Sequence, residues 1–209
     1  MHDTSFFGAT SPIYGGRSRV ELSQSAGSLQ YTALLADWRR YYMPKRPVTL
    51  AVRAVHYGRY GPDAEHPQLL GLYAGDAELV HGYGFSSIAP AECRFTPIGE
   101  RCPAFDSIVG SRLLVANFEV RAPVVGLFRG EIDYGRVPIE IAAFFDAGVT
   151  WTSSSLPTFE GGSREPLRSY GGAVRFNAFG LMVLELAASR PFGRPGAGWE
   201  WQLGLRQGF

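Results

Sequence analysis

The sequence predicts an all-β chain whose antiparallel strands run up and down into a barrel crossing a membrane. Successive segments alternate apolar and polar side chains with a period of two. Glycine, at 26 residues, and aromatics, at 13%, are abundant, while Lys45 is the only lysine; this mixture suits many strands joined by tight turns. The polar faces carry charges of both signs near their centres, and the apolar rows end in aromatics such as Trp38, Tyr42, Trp151, Tyr170 and Trp199, the placement of interfacial girdles. The same patterning leaves open a soluble barrel or sandwich with its apolar faces inward and its charges solvated outside.

The chain of 209 residues reads as one barrel domain over 1–209, a length that all-β domains reach. A net charge of +1, with no basic run interleaved with aromatics, gives no case for a nucleic-acid partner. There is no run of about 18 apolar residues, hence no transmembrane helix, an absence that does not bear on a barrel. The start, M-H-D-T-S-F-F-G, lacks the charged region and apolar core of a secretory signal, so Met1 is read as a start placed on a mature chain or fragment.

The first full strand is expected over Arg17 to Gln24, with Arg19 and Glu21 on one face and Val20 and Leu22 on the other. A long strand from about Ser28 to Tyr42 places Leu34, Ala36, Trp38 and Tyr42 outward and Asp37, Arg39 and Tyr41 inward. Arg40 interrupts that outward row, and the alternative phase of the first half fits nearly as well; a bulge or an arginine reaching to a headgroup would settle the phase. From Val48 to about Tyr57, Leu50, Val52 and Ala54 oppose Thr49, Arg53 and Tyr57. A connection over about 59–107 then far exceeds a hairpin loop, and long loops in compact architectures usually carry a role. Its apolar and glycine-rich first part predicts packing against another surface.

The strands resume at Ser111 to Arg121, where Leu114, Phe118 and Val120 oppose Asn117, Glu119 and Arg121. Over Ile139 to Trp151, Ile141 and Phe145 oppose Glu140, Phe144, Asp146 and Gly148. Tyr170, Val174 and Phe176 oppose Arg175 and Asn177, and Leu184 and Leu186 oppose Glu185. The terminal strand puts Trp199, Trp201, Leu203, Leu205 and Phe209 against Glu200, Gln202, Gly204 and Arg206. That makes eight strands with one long extracellular loop. On a barrel, Arg19, Glu21, Arg53, Glu119, Arg121, Glu140, Asp146, Arg175, Glu185 and Arg206 become lumenal charges of balanced sign. An eight-strand lumen is packed by side chains, so a chain closing on itself should displace its long loop toward the extracellular side. That closed monomer is the expected form, with a dimeric sixteen-strand barrel as the other closure.

Cys93 and Cys102 are the only cysteines. With no histidine nearby they do not form a zinc site. Their loop position suits a disulfide in an oxidising compartment, with two inert thiols as the alternative. No Gly-x-Ser-x-Gly elbow is present, and no catalytic, cofactor-binding or metal-binding residue is assigned.

Four stretches, V-H-G-Y-G at Val80 to Gly84, N-F-E-V-R at Asn117 to Arg121, F-F-D-A-G at Phe144 to Gly148, and the closing strand ending in Phe209, resemble the C-terminal half of the barrel in the bacterial surface antigen family. This is the superfamily of the outer-membrane assembly factor BamA and of two-partner secretion transporters. The resemblance implies a bacterial outer-membrane location and, as partners, membrane lipid or lipopolysaccharide, unfolded outer-membrane or secreted proteins, and a second copy or a missing barrel half. It implies that Val80, His81, Gly82 and Tyr83 form a loop tip received by a lumenal strand motif at Phe144, Asp146 and Gly148. His81 stands where the family usually has arginine, and a neutral imidazole lacks that fork of donors. The anchor is then weaker, or a lumenal carboxylate keeps His81 protonated, or His81 has only a structural role. The function implied is part of a protein assembly or translocation pore without full transport activity alone. A purely structural small barrel and an outer-membrane hydrolase are the other readings.

Overall fold

A computed structural model of the chain describes all residues except 77, 85–86, 89–91, 97–98, 195–196 and 208–209, and only the backbone of 94–96, 99–101 and 206–207. Eight long strands follow in chain order: β1 (Pro12–Ala26), β2 (Gln30–Lys45), β3 (Val48–Tyr60), β4 (Arg112–Pro123), β5 (Ile139–Trp151), β6 (Leu167–Ala178), β7 (Met182–Phe192) and β8 (Glu200–Gln207). Each pairs antiparallel with the next, giving one meander. Every inferred strand exists, most of them longer than the sequence pattern indicates. Two short helices accompany them, α1 (Pro103–Asp106) and α2 (Val124–Arg129). The second lies in the β4–β5 connection, where alternation gives no signal, and ends at Gly130 in the left-handed conformation (φ 70°), a C-terminal position that favours glycine.

One face of the sheet is apolar and exposed: Val20, Leu114, Phe118, Ile141, Phe145, Leu186 and Leu203 all lie on it. Arg40 also points outward, lying over Gly16. The only register shift of that strand pair falls between Tyr42 and Lys45, so no bulge accommodates the arginine. The other face is covered by the β3–β4 connection. The main hydrophobic cluster sits between the two, with Val80, Tyr83 and Ile108 from the loop against Val55, Leu113, Val115 and Leu167 from the strands.

The sheet is open: among the described residues β1 and β8 do not pair. Closure of the eight strands with the loop displaced outward is therefore not the arrangement found. The physical reason is space, since the loop occupies the face that an eight-strand lumen would fill with side chains. Along the free edge of β1, His2 and Asp3 pair with Ser18 and Arg17, and Phe6 with Tyr14. The chain's own start thus covers the edge from Pro12 to Ser18. Beyond it, Arg19 and Glu21 are about half exposed and pair with each other, so they do not join the buried charges. The side chain of Arg206 and all of Phe209 lie outside the described residues; Trp201, Leu203 and Leu205 are exposed on β8.

Candidate functional site

The loop tip, residues 80–83, lies on the covered face and is buried at each position. Glycines set its depth. A Cβ on Gly148 would come 2.7 Å from Val80 Cγ2, so the absence of a side chain on β5 is what lets the tip approach. Gly82 has φ +82°, a conformation that L side chains rarely adopt, and its N–H donates to Gln202 Oε1 at 2.9 Å. A Cβ on Gly171 would meet the Phe144 ring at 2.7 Å. The Phe144 ring thus reaches over β6, where it stacks on His81 with ring centroids 4.1 Å apart.

Asp146 is the main acceptor. Its Oδ2 takes the His81 backbone N–H at 3.1 Å and faces His81 Nδ1 at 2.6 Å, while Oδ1 accepts from Asn117 Nδ2 at 2.8 Å. Asn117 Nδ2 also donates to the Leu79 carbonyl at 2.6 Å. On the far side, His81 Nε2 faces Glu185 Oε1 at 3.5 Å. Burial alone would lower the imidazole pKa, but the hydrogen bonds to Asp146 and Glu185 outweigh it and raise the pKa from 6.5 to about 9. A protonated His81 donates at both ring nitrogens, which is how it serves two carboxylates at the position where the family resemblance implies arginine.

From Glu185 the network continues. Arg175, fully buried, contacts Glu185 at 2.5 Å, Glu119 at 2.8 Å and Glu140 at 3.3 Å. Glu140 accepts in turn from Thr10 Oγ1 at 2.9 Å and Ser11 Oγ at 2.7 Å. Arg121 pairs with Glu119 at 3.4 Å and donates to the Pro12 carbonyl. Near β2, Asp37 binds Arg39 at 2.6 Å and Arg53 at 3.0 Å, and Arg53 Nη1 reaches the Glu78 carbonyl of the loop at 2.7 Å. Beside these groups lies a cavity of about 410 Å3 lined by Arg17, Arg39, Arg53, Arg121, Arg175 and Leu205.

A second clamp holds the tip from the β7–β8 turn. Arg194 donates to the Gly82 carbonyl at 2.6 Å and the Ser87 carbonyl at 2.5 Å, and grips Glu92 through Nε at 2.9 Å and Nη2 at 2.6 Å. Its guanidinium lies 5.7 Å from the Tyr83 ring centroid, and the Tyr83 hydroxyl donates to the Phe192 carbonyl at 2.7 Å. Glu92 precedes Cys93, which is disulfide-bonded to Cys102. Sequence reasoning missed Arg194 because a turn residue carries no periodicity. Only its glycine- and proline-rich surroundings mark the turn.

The structure thus brings Val80, His81, Gly82 and Tyr83 together with Phe144, Asp146 and Gly148, and joins Glu119, Arg121, Glu140, Arg175 and Glu185 into one cluster beside them. No group of three potential metal ligands with binding geometry occurs among the described residues.

A meander of long antiparallel strands, apolar on one face and charged and loop-covered on the other, is consistent with the β-barrel class. The family model described as the Omp85 superfamily domain matches residues 11–206, and the chain belongs to that superfamily. Its members are outer-membrane proteins of the assembly and translocation type rather than enzymes. No curated protein matches the chain as a relative.

Proposed function

We propose that this chain forms the loop-plugged half of an outer-membrane protein assembly or translocation pore, with little transport activity by itself. The observation that carries the reading is the tethering of the loop tip: His81 is held between Asp146 and Glu185 on strands β5 and β7. A plug so bound keeps the inner face filled until a partner or substrate competes for the same groups, and its chemistry is mechanical, with no covalent step. The exposed apolar face supports placement in lipid, because soluble monomers rarely present so extended a patch. Lipid does not tolerate unpaired strand edges, so β1 and β8 are completed by a second copy or by a further barrel half. The substrates are unfolded outer-membrane or secreted proteins.

The test is oxygen and nickel-chelate accessibility of spin labels at Phe118, Phe145 and Leu186 after reconstitution of the chain in vesicles. Labels reached by oxygen and shielded from the chelate are expected. Labels open to the chelate at all three positions overturn the membrane reading.

A further inference from the structure

The two faces of the sheet treat arginine in opposite ways. On the covered face Arg39, Arg53, Arg121 and Arg175 each pair with a carboxylate. On the outward face the register places Arg40, Arg112, Arg168 and Arg190, and no Asp or Glu of β1–β8 shares that face. Arg112 caps the Tyr60 ring at 4.8 Å and feels the nearby loop residue Glu65. Arg168 and Arg190 are exposed and make no ion pair among the described residues. Both lie near the strand ends that carry the long loop; Arg40 lies toward the other end of its strand.

Arg168 and Arg190 sit in a built arrangement. Arg168 is directly opposite Phe192 and Arg190 directly opposite Tyr170, so arginines and aromatics alternate like a checkerboard, with the two arginines diagonal to each other. Diagonal positions are about 7–8 Å apart at the backbone, within reach of one phosphorylated headgroup for two long side chains. Tyr170 packs against Phe192 at 5.2 Å and against Trp199 at 5.9 Å between ring centroids, walling one side. In the next row along the strands the outward positions are small, Ala143, Gly172 and Ala188 in register, which leaves a shallow strip beside the rings for a hydrocarbon chain.

We infer that Arg168, Tyr170, Arg190, Phe192 and Trp199 bind the phosphate-bearing headgroup of an anionic lipid in the leaflet at the long-loop end of the barrel. Guanidiniums that make no ion pair among the described residues and lie on an apolar surface need a counter-charge, and the phosphate of a lipid headgroup matches their fork of donors. The rings supply the amphipathic surface that favours the headgroup boundary. With no Asp or Glu of β1–β8 on this face, no strand side chain there repels the phosphate.

This inference rests on the membrane reading proposed above. The experiment reconstitutes the full chain in phosphatidylcholine vesicles containing diphosphoryl lipid A or its phosphate-free analogue, extracts it in mild detergent and quantifies retained lipid by mass spectrometry. The wild type should prefer the phosphorylated form by roughly 25-fold, about fivefold per arginine. Arg168→Gln/Arg190→Gln should lose that preference, and Arg40→Gln should keep it. Inorganic phosphate in excess should leave the lipid bound. No preference in the wild type, an unchanged preference in the double variant, or full displacement by inorganic phosphate each overturns the lipid site. Labels shielded from the chelate combined with any of those results sink this inference alone; labels open to the chelate sink both readings.

Discussion

The covered and outward faces of one sheet differ more than their shared strands suggest. Inward positions of β4–β7 hold Glu119, Arg121, Glu140, Asp146, Arg175 and Glu185 in a connected, largely buried network, while outward positions of the same strands hold Phe118, Ile141, Phe145, Val174 and Leu186. In a soluble protein the order is reversed, with the apolar residues inside. The inversion is what the proposed lipid contact on the outward side requires, and it leaves the covered face held by a polar network beside the hydrophobic cluster of loop and strands.

Breaking the polar side should cost most. Arg175 bridges three carboxylates, and Arg175→Met leaves, among the described residues, Glu140 without an ion-pair partner and Glu119 and Glu185 beside Arg121 and His81. A loss of about 3–5 kcal/mol is expected for a buried pair deprived of one partner, read as a lowered urea midpoint for the reconstituted protein. Breaking the apolar side should cost somewhat less. Phe145→Arg near the middle of the outward face should destabilise the protein by about 2–4 kcal/mol in vesicles. The same substitution should be nearly silent if that face meets water.

Smaller effects sharpen the contact between loop and sheet. In Gly148→Ala the new methyl group collides with Val80, so the tip must lift; overpacking of this kind costs about 1–3 kcal/mol. Faster amide exchange at residues 80–83, with little change in the strands, is the expected signature. The smallest effect at neutral pH is His81→Arg, which keeps a cation between Asp146 and Glu185. Its value lies in the pH profile. The folded-state pKa of His81 is raised to about 9 from 6.5, so its stabilisation is complete below about pH 6.5 and is lost as pH rises through 9. Wild-type loop protection from protease should fall over that window, and the His81→Arg variant should show no such fall.

Alternation made the strands and their faces legible, because each side chain's orientation follows from its position once one neighbour is fixed. That is why Glu140, Asp146, Arg175 and Glu185 were readable as inward-facing from the sequence. The tip at Val80 to Tyr83 was readable only through resemblance, since nothing in its own pattern says which strand receives it. Arg194, Thr10 and Ser11 were not readable at all: each acts across a long sequence separation from a turn or an irregular segment. The open sheet escaped for a different reason. Charge balance among ten residues permits an eight-strand lumen, but it says nothing of the volume the loop takes.

The β3–β4 seam has a consequence for how the chain reaches this structure. Every other neighbouring pair of long strands is joined by a shorter connection, so β1–β3 and β4–β8 can each zip up from nearby contacts. The seam alone must close a ring running from Tyr60 to Arg112, an entropic cost roughly 2–3 kcal/mol above that of a tight hairpin turn. Non-local pairings of this kind slow folding, which makes the union of the two sub-sheets the late event. The ring that delays that union is the segment that later fills the inner face. Its contacts with Asp146, Glu185 and Arg194 therefore help to offset the closure cost of the seam. Releasing the loop in a finished molecule would remove that offset from the seam, so freeing the inner face and loosening the β3–β4 pairing are energetically coupled.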